Sequence, residues 1–364
     1  MLKKAVSLLA LTAILASLWG CAASISGTSQ SSSSQSSSAQ PSSSSSQESS
    51  SQQQVAFPVT VTDAAGREVT IEEQPETLVS GYYITTSMLI AMGQQDKLVG
   101  IEAKANTRPI YSLSAEQLLS LPSVGTAKEF DLEGCAALEP DLVILPLKLK
   151  DTAADLEQIG ITSIVVSPES TEDLFETLTM LGAATGAADE AQALIDYTTE
   201  KQEFLTSTFA DSEKPSVYLA GNSSYLNTAG AKMYQNTFIE LGGGINVAAE
   251  LEDSYWSEVS YEQLLAWNPD VIVIAPEADY TKEELLADEQ LAGLTAVQNG
   301  TVYAMPSKIE AWDSPVPGAI VGSLWMANTL HSDVYSSEQL LADAVEFYQT
   351  FYGFEPTADM LVNE

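Results

Sequence analysis

Histidine is almost missing from this chain: His331 is the only one in 364 residues. Ser-His-Asp hydrolysis needs an imidazole beside its nucleophile, and sites for bare zinc or manganese draw on several. His331 sits in "NTLHSDV" near an expected helix end, where a basic group complements the helix dipole. There is no nucleophile elbow and no GxxxxGK phosphate loop. The glycine cluster in "ELGGGINV" reads as a helix C-cap and turn rather than a dinucleotide site. These absences argue against an enzyme and against a metal held directly by the protein. Cysteine is nearly as scarce, with Cys21 at the head of the chain and Cys135 inside an apolar helical pattern. Two such residues build no disulfide framework, and Cys135 reads as a small core residue. Basic residues number 14 against 50 acidic ones, a net charge of −36. Nucleic-acid phosphates and anionic lipid surfaces both require Lys and Arg, so neither is an expected partner of the folded part. The acidic excess reads as a solvated surface.

One apolar run stands out at the start, where Lys3 and Lys4 precede "AVSLLALTAILASL" and then "WGC". A basic start and about 14 apolar residues mark a secretory signal rather than a membrane span. "LWGC" resembles the lipobox of bacterial lipoproteins, with Trp19 where a small residue is usual. That resemblance implies cleavage before Cys21 and acylation of its thiol, with residues 1–20 removed. Residues 21–54 are then a lipidated Cys followed by a Ser/Gln-rich tether, too poor in apolar groups to offset its ordering entropy.

The remaining 310 or so residues carry an echo. "FDLEGCAALEPDLVIL" at 130–145 returns as "VSYEQLLAWNPDVIVI" at 259–274, with Glu133 matching Glu262 and Asp141 matching Asp270 at an offset of 129. Each copy reads as a helix turn, capped by Asp131 or Ser260, feeding an apolar strand covered on both faces. Alternating strand and helix signals surround both copies. The expected fold is therefore α/β: two similar lobes, 55–186 and 214–364, joined by a helix within 187–213. From Ala187 to about Ala210 no Pro or Gly interrupts apolar residues at helical spacing, giving roughly 22 residues, or about 33 Å. The C-terminal helices expected over 318–330 and 336–354 are assigned to the second lobe.

With "FPVTVTDAAGREVTIEEQPETLVSGYY", "FIELGGGINVAAE" and "WSEVSYEQLLAWNPDVIVI", the two copies resemble the periplasmic-binding-protein family serving importers of iron–siderophore complexes, haem and vitamin B12. The resemblance covers about residues 57–350. It implies two lobes on one long helix, a ligand in the cleft between them, and delivery to a dimeric ABC permease driven by a cytoplasmic ATPase. In that family a Glu from each lobe docks onto permease Arg residues, and Glu133 and Glu262 match those positions. At Ser87 many relatives carry a Glu in the first helix. The resemblance further implies an extracytoplasmic, lipid-anchored monomer with no cofactor of its own.

Ligands of open α/β lobes lie off the carboxyl ends of strands. The loops there carry Tyr82, Tyr83, Arg108, Lys148 and Lys150 in the first lobe, and Tyr225, Lys308, Trp312 and Asp313 in the second, with Trp256 at the cleft edge. Cationic and aromatic groups together suit a bulky metal chelate. The expected ligand is an iron chelate of siderophore type. Cobalamin or another corrinoid, haem, and a metal oxyanion are the alternatives for the same role. A surface hydrolase or an adhesion protein are the alternatives from other classes.

Overall fold

A computed structural model describes residues 55–253 and 255–362, and these form one compact unit. The expected signal segment 1–20, the acylation of Cys21 and the tether 21–54 lie outside the described residues. Among the described residues no helix is long and apolar enough to cross a membrane.

The described chain begins with an antiparallel hairpin, β1 (Val59–Thr62) and β2 (Glu68–Ile71). Four parallel strands follow: β3 (Leu78–Ser80), β4 (Leu98–Ile101), β5 (Leu142–Pro146) and β6 (Ser163–Val166). Between and after them run α1 (Tyr83–Ala91), α2 (Pro109–Ser114), α3 (Leu132–Ala137), α4 (Lys150–Gln158) and α5 (Thr171–Thr185). The connecting helix is α6 (Ala188–Thr208), 21 residues long. The second lobe holds β7 (Ser216–Ala220), β8 (Asn227–Thr228), β9 (Ile245–Asn246), β10 (Ser257–Glu258), β11 (Val271–Ile274) and β12 (Val302–Ala304). Its helices are α7 (Tyr234–Leu241), α8 (Tyr261–Trp267), α9 (Lys282–Ala287), α10 (Thr295–Asn299), α11 (Ala319–Leu330) and α12 (Ser337–Tyr352).

The two parallel sheets repeat one topology. The first is ordered β4-β3-β5-β6, and the second, taken from β9, runs β9-β7-β11-β12. The echoed strands β5 and β11 are both central, and side chains alternate between two cores, as a strand's period of two requires. Leu142 and Ile144 join the main core while Val143 and Leu145 face the outer one. In the same way Val271 and Val273 enter the main core, and Ile272 and Ile274 the second lobe's outer cluster. The main core is continuous across both lobes.

The rest of the echo has a backbone explanation. Asp131 accepts from the Gly134 N–H and Ser260 from the Gln263 N–H, so both helices are capped as expected. Each helix leaves through a residue in the left-handed region, Glu139 at φ 49° and Asn268 at φ 43°, which turns the chain toward its strand. The following Asp then clamps the neighbouring strand. Asp141 accepts from the backbone N–H groups of Glu76 and Thr77, both at 2.9 Å. Asp270 accepts from the Ser216 N–H at 2.9 Å and the Ser216 hydroxyl at 2.6 Å. Those Ser216 bonds hold the Asp270 carboxyl below its ordinary range. A carboxylate accepting several N–H groups is worth more than a neutral pair, tempered here by exposure. Asp270→Ala is expected to lower unfolding stability by about 1–2 kcal/mol in urea denaturation.

The C-terminal helix departs from its expected place on the second lobe alone. α12 packs on α11, but Tyr352 also reaches Ser87 of α1, hydroxyl to hydroxyl at 2.8 Å. It is tied to α6 as well, where Lys201 pairs with Asp343 at 2.7 Å and Glu346 at 3.1 Å. Thus α12 bridges both lobes beside the connecting helix.

Candidate binding site

Between the lobes lies a narrow pocket of about 20 Å³, room for about one water. The first lobe lines it with Tyr83, Ser87 and the segment Arg108–Tyr111, the second with Glu277, Ile309–Ala311 and Val316. Both sides come from loops and helix starts after parallel strands, where the fold leaves backbone and side chains free to meet a ligand. Tyr83 opens α1 directly after β3. The Arg108 guanidinium lies over the Tyr83 ring, 4.0 Å from its centroid, a cation–π stack that fixes both groups. Across the cleft the Tyr83 hydroxyl donates to Ser314 Oγ at 3.2 Å.

Carboxyl groups outnumber the single guanidinium. Glu102, behind the first-lobe wall, accepts from the Tyr111 hydroxyl at 2.6 Å and from Thr86 at 2.7 Å. Burial raises its pKa, those bonds and Arg108 opposing. Glu310 faces the pocket from the second lobe, with Oε1 taking the Tyr348 hydroxyl at 2.9 Å. The Ser87 hydroxyl donates to its Oε2 at 3.3 Å. Thus a carboxyl reaches Ser87 of the first helix from the opposite lobe. Burial pushes Glu310 from the ordinary 4.5 up to about 7, and Asp313 from 3.8 up to about 7.

These shifts have a sign in stability. Above the ordinary carboxyl values the unfolded chain has released protons that the folded chain still holds, so stability falls as pH rises toward 7. Glu310 alone contributes on the order of 3 kcal/mol to that fall. The clamp Asp270 acts oppositely: its contribution is present above the ordinary value and is lost as pH falls below it. Thermal unfolding is therefore expected to give a higher Tm at pH 5 than at pH 8, with Glu310→Gln flattening the difference.

The residues expected from sequence divide by position. Tyr83 and Arg108 line the pocket. Tyr82 stands edge-on to Tyr83, with ring centroids 5.3 Å apart, one layer behind. Lys148 and Lys150 are exposed beyond β5, outside the pocket lining. Lys308 is exposed too, and its Nζ donates to the Asp359 carbonyl at 3.1 Å. Tyr225 donates its hydroxyl to Asp288 Oδ2 at 2.7 Å, beside Tyr261 at the start of α8, away from the pocket lining. Trp312 requires a correction. It is only 1 % exposed, and its Nε1 donates to the Tyr348 hydroxyl at 2.7 Å. It is core rather than cleft wall, because α11 packs against it where Gly322 lacks a side chain. Trp256 covers Gly221 at the end of β7. Asp313 is buried, with its carbonyl accepting from Gln235 at 2.8 Å. Glu310, Glu277, Ser87 and Tyr111 are the polar lining residues outside the binding candidates expected from the sequence.

Glu133 and Glu262 are both exposed in the first turns of α3 and α8. The backbone N–H of Glu262 and the Ser260 hydroxyl hold that carboxyl below its ordinary range. His331 caps the end of α11, stacked on Phe209 at 4.6 Å, with Nε2 3.2 Å from the Gly243 carbonyl. Cys135 is fully buried.

The family model described as periplasmic binding protein matches residues 78–309, a span that contains both echoes and the first-lobe pocket wall. The chain belongs to the periplasmic binding protein family. It is a substrate-binding protein of the ABC-importer kind, not an enzyme, and delivers a small ligand to a permease. The cobalamin-binding protein of Halobacterium salinarum is 26% identical over 286 residues, 76% of this chain and 75% of that one. The molybdate-binding protein MolA of Haemophilus influenzae is 24% identical over 319 residues, 80% of this chain and 90% of that one. A crystal structure of a periplasmic solute binding protein from Veillonella parvula superposes with a TM-score of 0.74 at 25% identity. It covers 84% of this chain and 96% of the other. What this binding protein shares with that structure is the fold of two α/β lobes.

Proposed function

We propose that this binding protein captures an organic metal chelate of low net charge and hands it to its permease. The observation that carries this reading is the charge balance of the pocket: one guanidinium, already stacked on Tyr83, against the carboxyls of Glu277 and Glu310. An oxyanion would meet the exposed Glu277 and, above about pH 7 where it is ionised, the buried Glu310, whose like charge repels it strongly out of water. Haem, with two carboxylates, meets the same obstacle. A ferric chelate of hydroxamate type is neutral and presents amide groups and apolar surface, for which a phenol, a flat guanidinium and carboxyl acceptors are suited. A corrinoid is the second reading, favoured by the relative named as cobalamin-binding. The pocket as it stands has room for neither molecule, so capture requires the lobes to part. Anchoring at an acylated Cys21 on the outer face of the membrane completes the proposal, the chain 21–54 serving as tether. Glu133 and Glu262 are the proposed docking points for permease Arg residues, through charge-assisted pairs.

The experiment is a titration of the protein with ferrichrome, cyanocobalamin, haem and molybdate, followed by tryptophan fluorescence and thermal shift. The reading expects saturable binding of ferrichrome or cyanocobalamin. Binding of haem or molybdate alone, or of nothing in the panel, would overturn it.

A further inference from the structure

Glu310 holds an unusual position among the acidic residues. It is 6% exposed and has no ion pair among the described residues. Its two oxygens are unequal. Trp312 Nε1 donates to the Tyr348 hydroxyl at 2.7 Å, so the one Tyr348 hydrogen is directed to Glu310 Oε1 at 2.9 Å. That oxygen is committed to the second lobe. Oε2 has only the Ser87 hydroxyl, at 3.3 Å, longer than a good O–H···O bond. The same Ser87 hydroxyl lies 2.8 Å from the Tyr352 hydroxyl, a pair in which either oxygen can donate. Ser87 and Glu310 both line the pocket. Oε2 is therefore a weakly satisfied acceptor at the seam of the lobes, and a buried carboxyl gains most from a donor that completes it. Nothing larger fits the space behind it: a side chain on Gly318, at the start of α11, would collide with Glu310 Oε1.

We infer that Glu310 is a specificity-determining residue: its Oε2 accepts an N–H or O–H group of the ligand in place of Ser87. The pocket thereby selects chelates bearing amide or hydroxyl donors and rejects anions. This rests on the capture reading above and deepens it. The groups facing the ligand across the pocket, Arg108 and Glu277, then act on shape and overall charge, while Glu310 reads a donor.

Calorimetric titration of wild type, Glu310→Gln and Ser87→Ala with ferrichrome, cyanocobalamin and molybdate tests it. Gln keeps the size and an acceptor for Tyr348, but removes the charge. The expected result is an affinity of Glu310→Gln for the neutral chelate about tenfold weaker, with molybdate bound more tightly than by wild type. Ser87→Ala, which removes the competing donor to Oε2 together with the hydroxyl bonded to Tyr352, is expected to shift the ratio of chelate to molybdate affinity in the direction opposite to Glu310→Gln. A merely structural role would weaken all probes together. Unchanged affinities in Glu310→Gln, or an equal loss for every probe, overturn the inference while leaving capture standing. A wild type that binds neither chelate overturns the capture reading itself and the inference with it.

Discussion

Cells carrying the double variant Glu133→Ala, Glu262→Ala are expected to take up no more ligand than cells lacking the protein, while the purified variant binds ligand as tightly as wild type. The two carboxylates stand on matching helices of topologically matching lobes, exposed, in first turns where the helix dipole favours negative charge. Neither lines the pocket. In a closed interface, a carboxylate–guanidinium pair that loses one partner costs about 2–5 kcal/mol, so loss of two reduces productive docking beyond the range of an uptake assay. Each single variant is expected to retain partial uptake, because the other lobe still holds. Labelled-ligand uptake in cells and titration of the purified protein check the two halves separately. Wild-type uptake by the double variant would remove the docking assignment, and a parallel loss of ligand affinity would relocate these residues to the cleft.

Trp312→Ala is expected to lower stability by about 3–5 kcal/mol. Trp312 is buried against Gly322 of α11, and its Nε1 is the donor that orients the Tyr348 hydroxyl toward Glu310. Truncation opens a cavity and leaves the Tyr348 hydroxyl without that donor, two separate penalties. Trp312→Phe keeps most of the volume, and its loss is expected nearer 1–2 kcal/mol, chiefly the missing hydrogen bond. Urea unfolding of both variants measures this. Because the ring is core, Trp312→Phe is expected to bind ligand close to normally. A large loss of affinity with unchanged stability would return Trp312 to the cleft wall.

The parts of the fold legible in the sequence are those written locally. The echo, the caps Asp131 and Ser260, and the uninterrupted helical pattern after Ala187 all depend on neighbours within a few residues. The entry hairpin is absent from the expected elements, although "VTVT" and "EVTI" alternate around a "DAAG" turn and carry the signal. The clamp role of Asp141 and Asp270 is only half legible: Pro-Asp marks strand entry, but the partners Thr77 and Ser216 lie 64 and 54 residues away. The cleft is where locality fails most. Ser87 and Glu310 are 223 residues apart, and no spacing rule joins them. Trp312 and Tyr225 sit on the right loops, yet loop membership does not say whether a side chain turns to the cleft or to its own lobe. A charged side chain at a strand end was easier to notice than Glu310, whose importance comes from burial.

The central claim is that the seam between the lobes holds an organic metal chelate rather than a bare ion. Native mass spectrometry of the protein incubated with an equimolar mixture of ferrichrome, cyanocobalamin and molybdate tests it most directly. One species is expected, a one-to-one complex shifted by the mass of one of the two chelates, which disappears on denaturation. A shift by molybdate only, or protein at its unliganded mass alone, would contradict it.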